Sequence, residues 1–183
     1  MSIPISLPGM HAAAAGFDEP FALLAGCHER VRRSLALLQR LSGHVGVQGA
    51  DVQAQGAARD VLRYFDIAAP AHHEDEERHV LPLLQASGDA ALARAAERLQ
   101  RDHEAIRVAW QALRPLLVQV ADDARCTDAA ALAAASARFV QVHDGHLELE
   151  DGLVFPAAQR LHPDTAAMGR EMAARRGVAP KPG

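Results

Sequence analysis

Apolar positions along the chain recur every three or four residues, and long stretches of this pattern are separated by short runs of Gly, Pro and Asp. That period places apolar side chains on one face of an α-helix. The first helix is expected from near Asp18, with Pro20 tolerated in its opening turn, to "LSGHVG", where Gly43 and Gly46 end it. The second begins near Asp51 and runs to "QASGD", bent at Pro70. Gly88 and Asp89 suit a C-cap followed by an N-cap, opening a third helix that reaches about Ala121 with a kink at Pro115. Thr127 or Asp128 opens a fourth that ends near "RLHP", and a short fifth lies around Asp164 to Arg175. Four long amphipathic helices with short connections predict an all-α fold, an up-down-up-down four-helix bundle with a short fifth C-terminal helix. The expected organisation is an N-terminal arm over 1–17, the bundle over 18–162, and the short helix and tail over 163–183.

Composition supports this reading. With 183 residues and 49% hydrophobic content, the chain is long enough for one domain with a proper core, and aromatics at 4% leave little strand-like alternation. A net charge of −4 with Arg interspersed among acids gives no basic field, so neither nucleic acid nor an anionic membrane is an expected partner. Cys27 and Cys126 stand alone, outside any CxxC, and read as packing residues in a reducing compartment. No apolar run approaches the roughly 20 residues that span a bilayer, and "MSIPISLPGMHAAAAG" lacks a charged n-region before an unbroken apolar segment. The expected location is the cytoplasm.

The chemistry concentrates in "HHEDEERHV", residues 72–80, where three histidines and four carboxylates interrupt an Ala- and Leu-rich helix. His72 and Glu76 are four apart and share a helical face; His73 and Glu77 form a second such pair, rotated by about 100°. Periodicity alone does not choose between them. The fourth helix does, because "HLELEDGLVFP" repeats the device: His146 and Glu150 are four apart, and Pro156 follows Glu150 by six as Pro82 follows Glu76 by six. Leu147 stands where His73 stands, so only the His72–Glu76 register repeats. The other two helices each carry a histidine in apolar phase, His28 between Leu24 and Val31 and His103 between Leu99 and Ile106. Four imidazoles and two carboxylates suit a pair of Fe, Mn or Zn ions, a dinuclear non-haem iron centre best of all, because a carboxylate has two oxygens with which to span two ions. His73, Asp75 and Glu77 are expected on the solvated face. His79 and His143 share the inner stripe, either as outer partners of the ligands or as an additional ligand, and Tyr64 and Trp110 read as core.

Together "HERV", "HHEDEERHVLP", "RDHEAI" and "HDGHLELEDGLVFP" resemble the hemerythrin-like family, the HHE cation-binding domain, over roughly residues 18–160. The resemblance implies a four-helix bundle around two non-haem iron ions with an oxo or hydroxo bridge. It implies His28, His72, His103 and His146 as terminal ligands, with Glu76 and Glu150 as bridges. Oxygen-carrying members place two histidines four apart on the third helix, whereas here Arg107 follows His103 at that spacing, so oxygen carriage is not implied. Members with a four-His, two-Glu set are tied to nitric-oxide stress and iron-sulfur cluster repair, but they carry an N-terminal cysteine-bearing domain that has no counterpart here. The expected activity is to bind, sense or reduce a small ligand, which is dioxygen, nitric oxide or peroxide, in stress response or iron handling. Two alternatives stay open: ferritin-like iron oxidation and storage, for which only Glu76 and His79 show the ExxH spacing, and a structural or adaptor bundle holding zinc. Oligomeric state is left open, with a homo-oligomer allowed.

Overall fold

A computed structural model describes residues 16–122 and 128–178. They form α1 (Pro20–Gln48), α2 (Val52–Arg63), α3 (Ala69–Asp75), α4 (Leu81–Ala86), α5 (Ala90–Asp122), α6 (Ala129–His143), α7 (His146–Leu149), α8 (Phe155–Arg160) and α9 (Thr165–Arg175). Three π-helical turns, Tyr64–Ala68, Glu76–Val80 and Glu150–Val154, join α2 to α3, α3 to α4 and α7 to α8 without a break. The class is all-helical, with no strand among the described residues. α1 packs against α2 and α6, and α5 packs against the same two, so these long runs enclose a bundle.

Capping follows the sequence closely. Asp51, Asp128 and Asp164 accept from the backbone N–H of Ala54, Ala131 and Ala167 at 2.8–2.9 Å, each satisfying an orphan donor of a first turn. Asp89 does the same for Ala91. Thr127 and Cys126 lie outside the described residues, as does most of the N-terminal arm. Two boundaries differ from expectation. α1 runs through Gly43 and Gly46 to Gln48 and ends at Gly49, whose φ of 78° is the left-handed conformation. Leu41 and Val45 are both buried on the stripe that starts at Phe21, and their burial outweighs the roughly 1 kcal/mol that each mid-helix glycine costs. The fourth helical run, expected to be continuous, breaks at Asp144 and Gly145, where Gly145 has φ 73°.

Each π-turn has the same cause. Pro70, Pro82 and Pro156 lack an N–H and crowd the carbonyl four residues back, so the ladder before each widens to an i→i+5 bond: Ala69 N–H to Tyr64, Leu81 N–H to Glu76, Phe155 N–H to Glu150. Pro70 follows Tyr64 by six, the spacing that also separates Glu76 from Pro82 and Glu150 from Pro156. α5 runs unbroken through Pro115.

The core divides into two apolar clusters. One contains Val31, Leu35, Leu38, Phe65, Ala69, Ile106, Phe139 and Leu147; the other contains Leu24, Val80, Leu81, Leu99, Val154, Phe155 and Met172. The His and Glu positions singled out from sequence fall between them along every helical run. His28 lies between Leu24 and Val31, His103 between Leu99 and Ile106, and the two His–Glu pairs lie before Val80 and Val154.

α9 closes one side of the segment over residues 72–80. Its Met168 and Met172 join the second cluster, and Gly169 lies where the Phe17 backbone crosses with no room for a Cβ. At its C-terminal end Arg175 and Arg176 both grip Asp75, Arg176 at 2.5 Å. Asp75 is fully buried, which corrects its placement on the solvated face: its position, one residue before Glu76, turns it toward α9.

Two stability effects follow from these contacts. Gly145→Ala should lower the unfolding free energy by about 1 kcal/mol, because a Cβ is strained at positive φ. An unchanged urea midpoint would show that the break does not require glycine. Replacing both Arg175 and Arg176 by Ala leaves the Asp75 carboxylate buried without partners, which costs about 3 kcal/mol. A thermal melt indistinguishable from that of the parent would contradict the role assigned to the Arg pair.

Candidate metal centre

Four helical runs aim side chains at one point. α1 provides His28, α3 His72, α5 His103 and α7 His146, while Glu76 and Glu150 open the second and third π-turns. All six are buried, at 0–5% exposure. A π-turn begins at each glutamate, so the same local widening positions both carboxylates.

The two carboxylates divide the imidazoles into two groups. Glu76 Oε1 faces Nε2 of His72 at 3.2 Å and of His28 at 3.8 Å, while its Oε2 faces Nε2 of His103 at 3.5 Å. Glu150 Oε2 faces Nε2 of His28 at 3.2 Å, while its Oε1 faces Nε2 of His146 at 3.4 Å and of His103 at 3.9 Å. Each carboxylate thus presents one oxygen to each group. Ligand atoms of His28, His72, Glu76 and Glu150 come within 4.8 Å of one another, and so, separately, do those of His73, His103 and His146.

His73 was expected among solvated residues and is instead half-buried, stacked on His103 with ring centroids 4.2 Å apart and planes at 17°. The reason is angular. With 100° per residue, His72, Glu76 and His73 fall at about 0°, 40° and 100°, so the carboxylate lies between two imidazoles that both reach the interior. At the equivalent place in the fourth run, Leu147 joins the apolar core. Five imidazoles therefore converge here, and the one beyond the expected four comes from α3, not from the position that Arg107 occupies. Arg107 points outward and binds Glu104 at 2.9 and 2.5 Å.

Outer contacts fix the rings. His28 Nδ1 donates to Asp151 at 2.7 Å, and Arg32 holds the other oxygen of Asp151 at 2.6 Å. His103 Nδ1 donates to Glu77 at 2.8 Å, so Glu77, exposed as expected, still touches the centre through a ring. A proton on Nδ1 leaves the Nε2 lone pair free to face inward, the usual arrangement of a metal-binding histidine. His146 Nδ1 is 3.8 Å from Asp102, too long for a hydrogen bond. Buried Cys27, assigned to packing, accepts from Arg30 at 2.9 Å. His79 and His143 join neither group. His79 Nε2 faces Arg175 at 2.8 Å, and His143 Nδ1 donates to the Phe139 carbonyl at 2.8 Å. Trp110 and Tyr64 are partly buried against the core, Trp110 donating to Asp66 and Tyr64 to the Cys27 carbonyl.

The electrostatics show what the centre lacks. Burial on its own would lower the pKa of His28 and His103, but the facing Glu150 and Glu76 carboxylates raise both to about 10. Burial would raise Glu150, yet the imidazoles of His103 and His28 hold it well below the usual carboxylate range. His73 is driven well below its ordinary value by burial and then by the neighbouring histidines, and burial lowers His143 to about 4. Despite their proximity, Nε2 of His28, His72, His103 and His146 and all four oxygens of Glu76 and Glu150 make no hydrogen bond. Each buried polar atom left in that state costs about 1–3 kcal/mol. Buried imidazole nitrogens and carboxylate oxygens converge here on protons when no cation is present, and they are the atoms that a cation satisfies in place of those protons, so these residues fit a metal.

No helix of the described residues is long and apolar enough to cross a membrane. The family model described as the hemerythrin HHE cation binding domain matches residues 19–158. A protein of Haemophilus influenzae, itself described as uncharacterized, is 30% identical over 165 residues, covering 90% of this chain and 94% of its own length. The matched span contains every histidine and glutamate of the two groups, and the chain belongs to the hemerythrin HHE cation-binding domain family.

Proposed function

We propose that this protein is a non-haem di-iron protein that binds, senses or reduces a small ligand, which is dioxygen, nitric oxide or peroxide, and that it works in the cytoplasm. The observation that carries the proposal is the set of eight converging Nε2 and carboxylate oxygen atoms that are buried and unsatisfied. His28 and His72 would hold one ion; His103 and His146, joined by His73, the other; Glu76 and Glu150 would span both. An N- and O-donor set of this kind suits iron, and a pair of irons supplies two one-electron redox centres and an open position for an exogenous ligand.

The chain's own part is positional. Asp151 and Glu77 orient two of the imidazoles, and the two apolar clusters cover the layer between them on either side. Ferritin-like iron oxidation is disfavoured by a specific contact. The single ExxH histidine, His79, is turned toward Arg175 and Glu171 on α9 and away from the carboxylates.

Protein purified without added metal should contain two irons per chain and absorb in the near ultraviolet, with the absorption changing on anaerobic reduction and on addition of oxygen or nitric oxide. Glu76→Ala or Glu150→Ala should remove both ions, because each carboxylate serves both groups. Glu77→Ala should keep both, with affinity lower by about 10–100-fold through loss of the His103 hydrogen bond. Zinc without near-ultraviolet absorption, or full metal content in Glu76→Ala, would overturn the proposal.

A further inference from the structure

A groove of about 370 Å³ opens between α3 and α5 beside the second imidazole group. His73 and His103 form one wall and the half-buried Trp110 ring another, with the buried side chains of Phe65, Ile106 and Phe139 packed behind them. The three aromatic rings brace one another, with centroids 5.3 Å apart for Phe65–Trp110, 4.8 Å for Phe65–Phe139 and 5.3 Å for Trp110–Phe139. Asp66 accepts from the Trp110 indole at 3.0 Å and is itself gripped by Arg114, which fixes the Trp110 ring. The groove is therefore preformed, as small-molecule sites usually are.

Size and charge narrow the occupant. A bare diatomic needs little more room than a water molecule, about 30 Å³, whereas this groove falls within the range of about 300–1,000 Å³ typical of organic ligand sites. Its rim carries Glu74, Glu77, Glu104 and Arg107. Each already has an opposite partner: Arg78 on Glu74 at 2.6 Å, His103 on Glu77 at 2.8 Å, and Arg107 on Glu104 at 2.9 Å. A charged ligand would lose its hydration without finding a free counter-charge, while a neutral ring system gains contact with the Trp110 ring and the His73 imidazole.

We propose that this groove is a binding site for a neutral aromatic organic molecule of one or two rings, stacked on the half-buried Trp110 ring, which Phe65 and Phe139 back from the core, with an edge at His73. The site goes beyond the metal reading, since its walls form without a metal. It places an organic molecule directly against the second imidazole group.

Trp110 is the chain's single tryptophan, so its indole N–H resonance reports on the groove alone. The test titrates ¹⁵N-labelled full-length protein, metal-free and metal-loaded, with 1-naphthol, and with 1-naphthoate and 1-naphthylmethylammonium as charged analogues. Naphthol should give a saturable shift of the Trp110 resonance in both forms, with each charged analogue binding about tenfold more weakly or worse. Glu104→Gln, at an exposed position, frees the Arg107 guanidinium; naphthoate should then bind about tenfold more tightly while naphthol is unchanged. Absence of a saturable naphthol shift, equal binding of all three probes by the parent protein, or a Glu104→Gln variant that treats naphthoate as the parent does would each overturn the proposal. Loss of the metal reading shows in metal content and leaves these titrations untouched.

Discussion

Burial of two carboxylates at the middle of an apolar bundle is the constraint around which the rest of this structure is arranged. Glu76 and Glu150 are at 1% and 0% exposure, with an apolar cluster on either side and no hydrogen bond made by any of their four oxygens. Charges in that position are expensive unless paired. The chain answers with imidazoles from four helical runs, and each of those runs is otherwise a regular apolar stripe into which one polar level has been inserted. The interior is thus two hydrophobic cores separated by a polar layer, and the layer is complete only with cations in it.

Local backbone chemistry delivers the carboxylates. Proline six residues after each glutamate removes a ladder hydrogen bond and widens one turn, and the widening starts at the glutamate itself. The third proline of the same kind, Pro70, widens the turn that begins at Tyr64 and carries Phe65 into the aromatic lining beside His73. Around this frame the outer contacts come from residues next to the inner ones in sequence. Asp75 precedes Glu76 and anchors α9; Glu77 follows it and holds His103; Asp151 follows Glu150 and holds His28. Each of these neighbours faces about 100° away from the glutamate beside it, toward the element that packs there.

Much of this was legible because the same His-x3-Glu-x5-Pro device occurs twice, and repetition selects a register where periodicity alone cannot. The helical class and the capping aspartates were readable for the ordinary reason that apolar period and N-cap chemistry are local. What escaped was non-local or angular. Treating His72 and His73 as alternatives overlooked that a carboxylate at i+4 lies between i and i+1, so both imidazoles face the same interior. Asp75 looked solvated because the Arg pair that buries it lies 100 residues away on α9. Gly43 and Gly46 looked like stops because glycine propensity is a weak term beside the burial of Leu41 and Val45. The break at Gly145 left no apolar gap to betray it, since His143, His146 and Leu147 are all buried across it.

The central claim, that the polar layer is built for a pair of cations, is tested most directly by the thermal stability of metal-depleted protein titrated anaerobically with ferrous iron. Ligand that binds the native state raises its stability by mass action. The account predicts a helical metal-depleted protein whose melting temperature climbs with iron and breaks at two equivalents per chain. A melting temperature indifferent to ferrous iron, or a break at one equivalent, would contradict it.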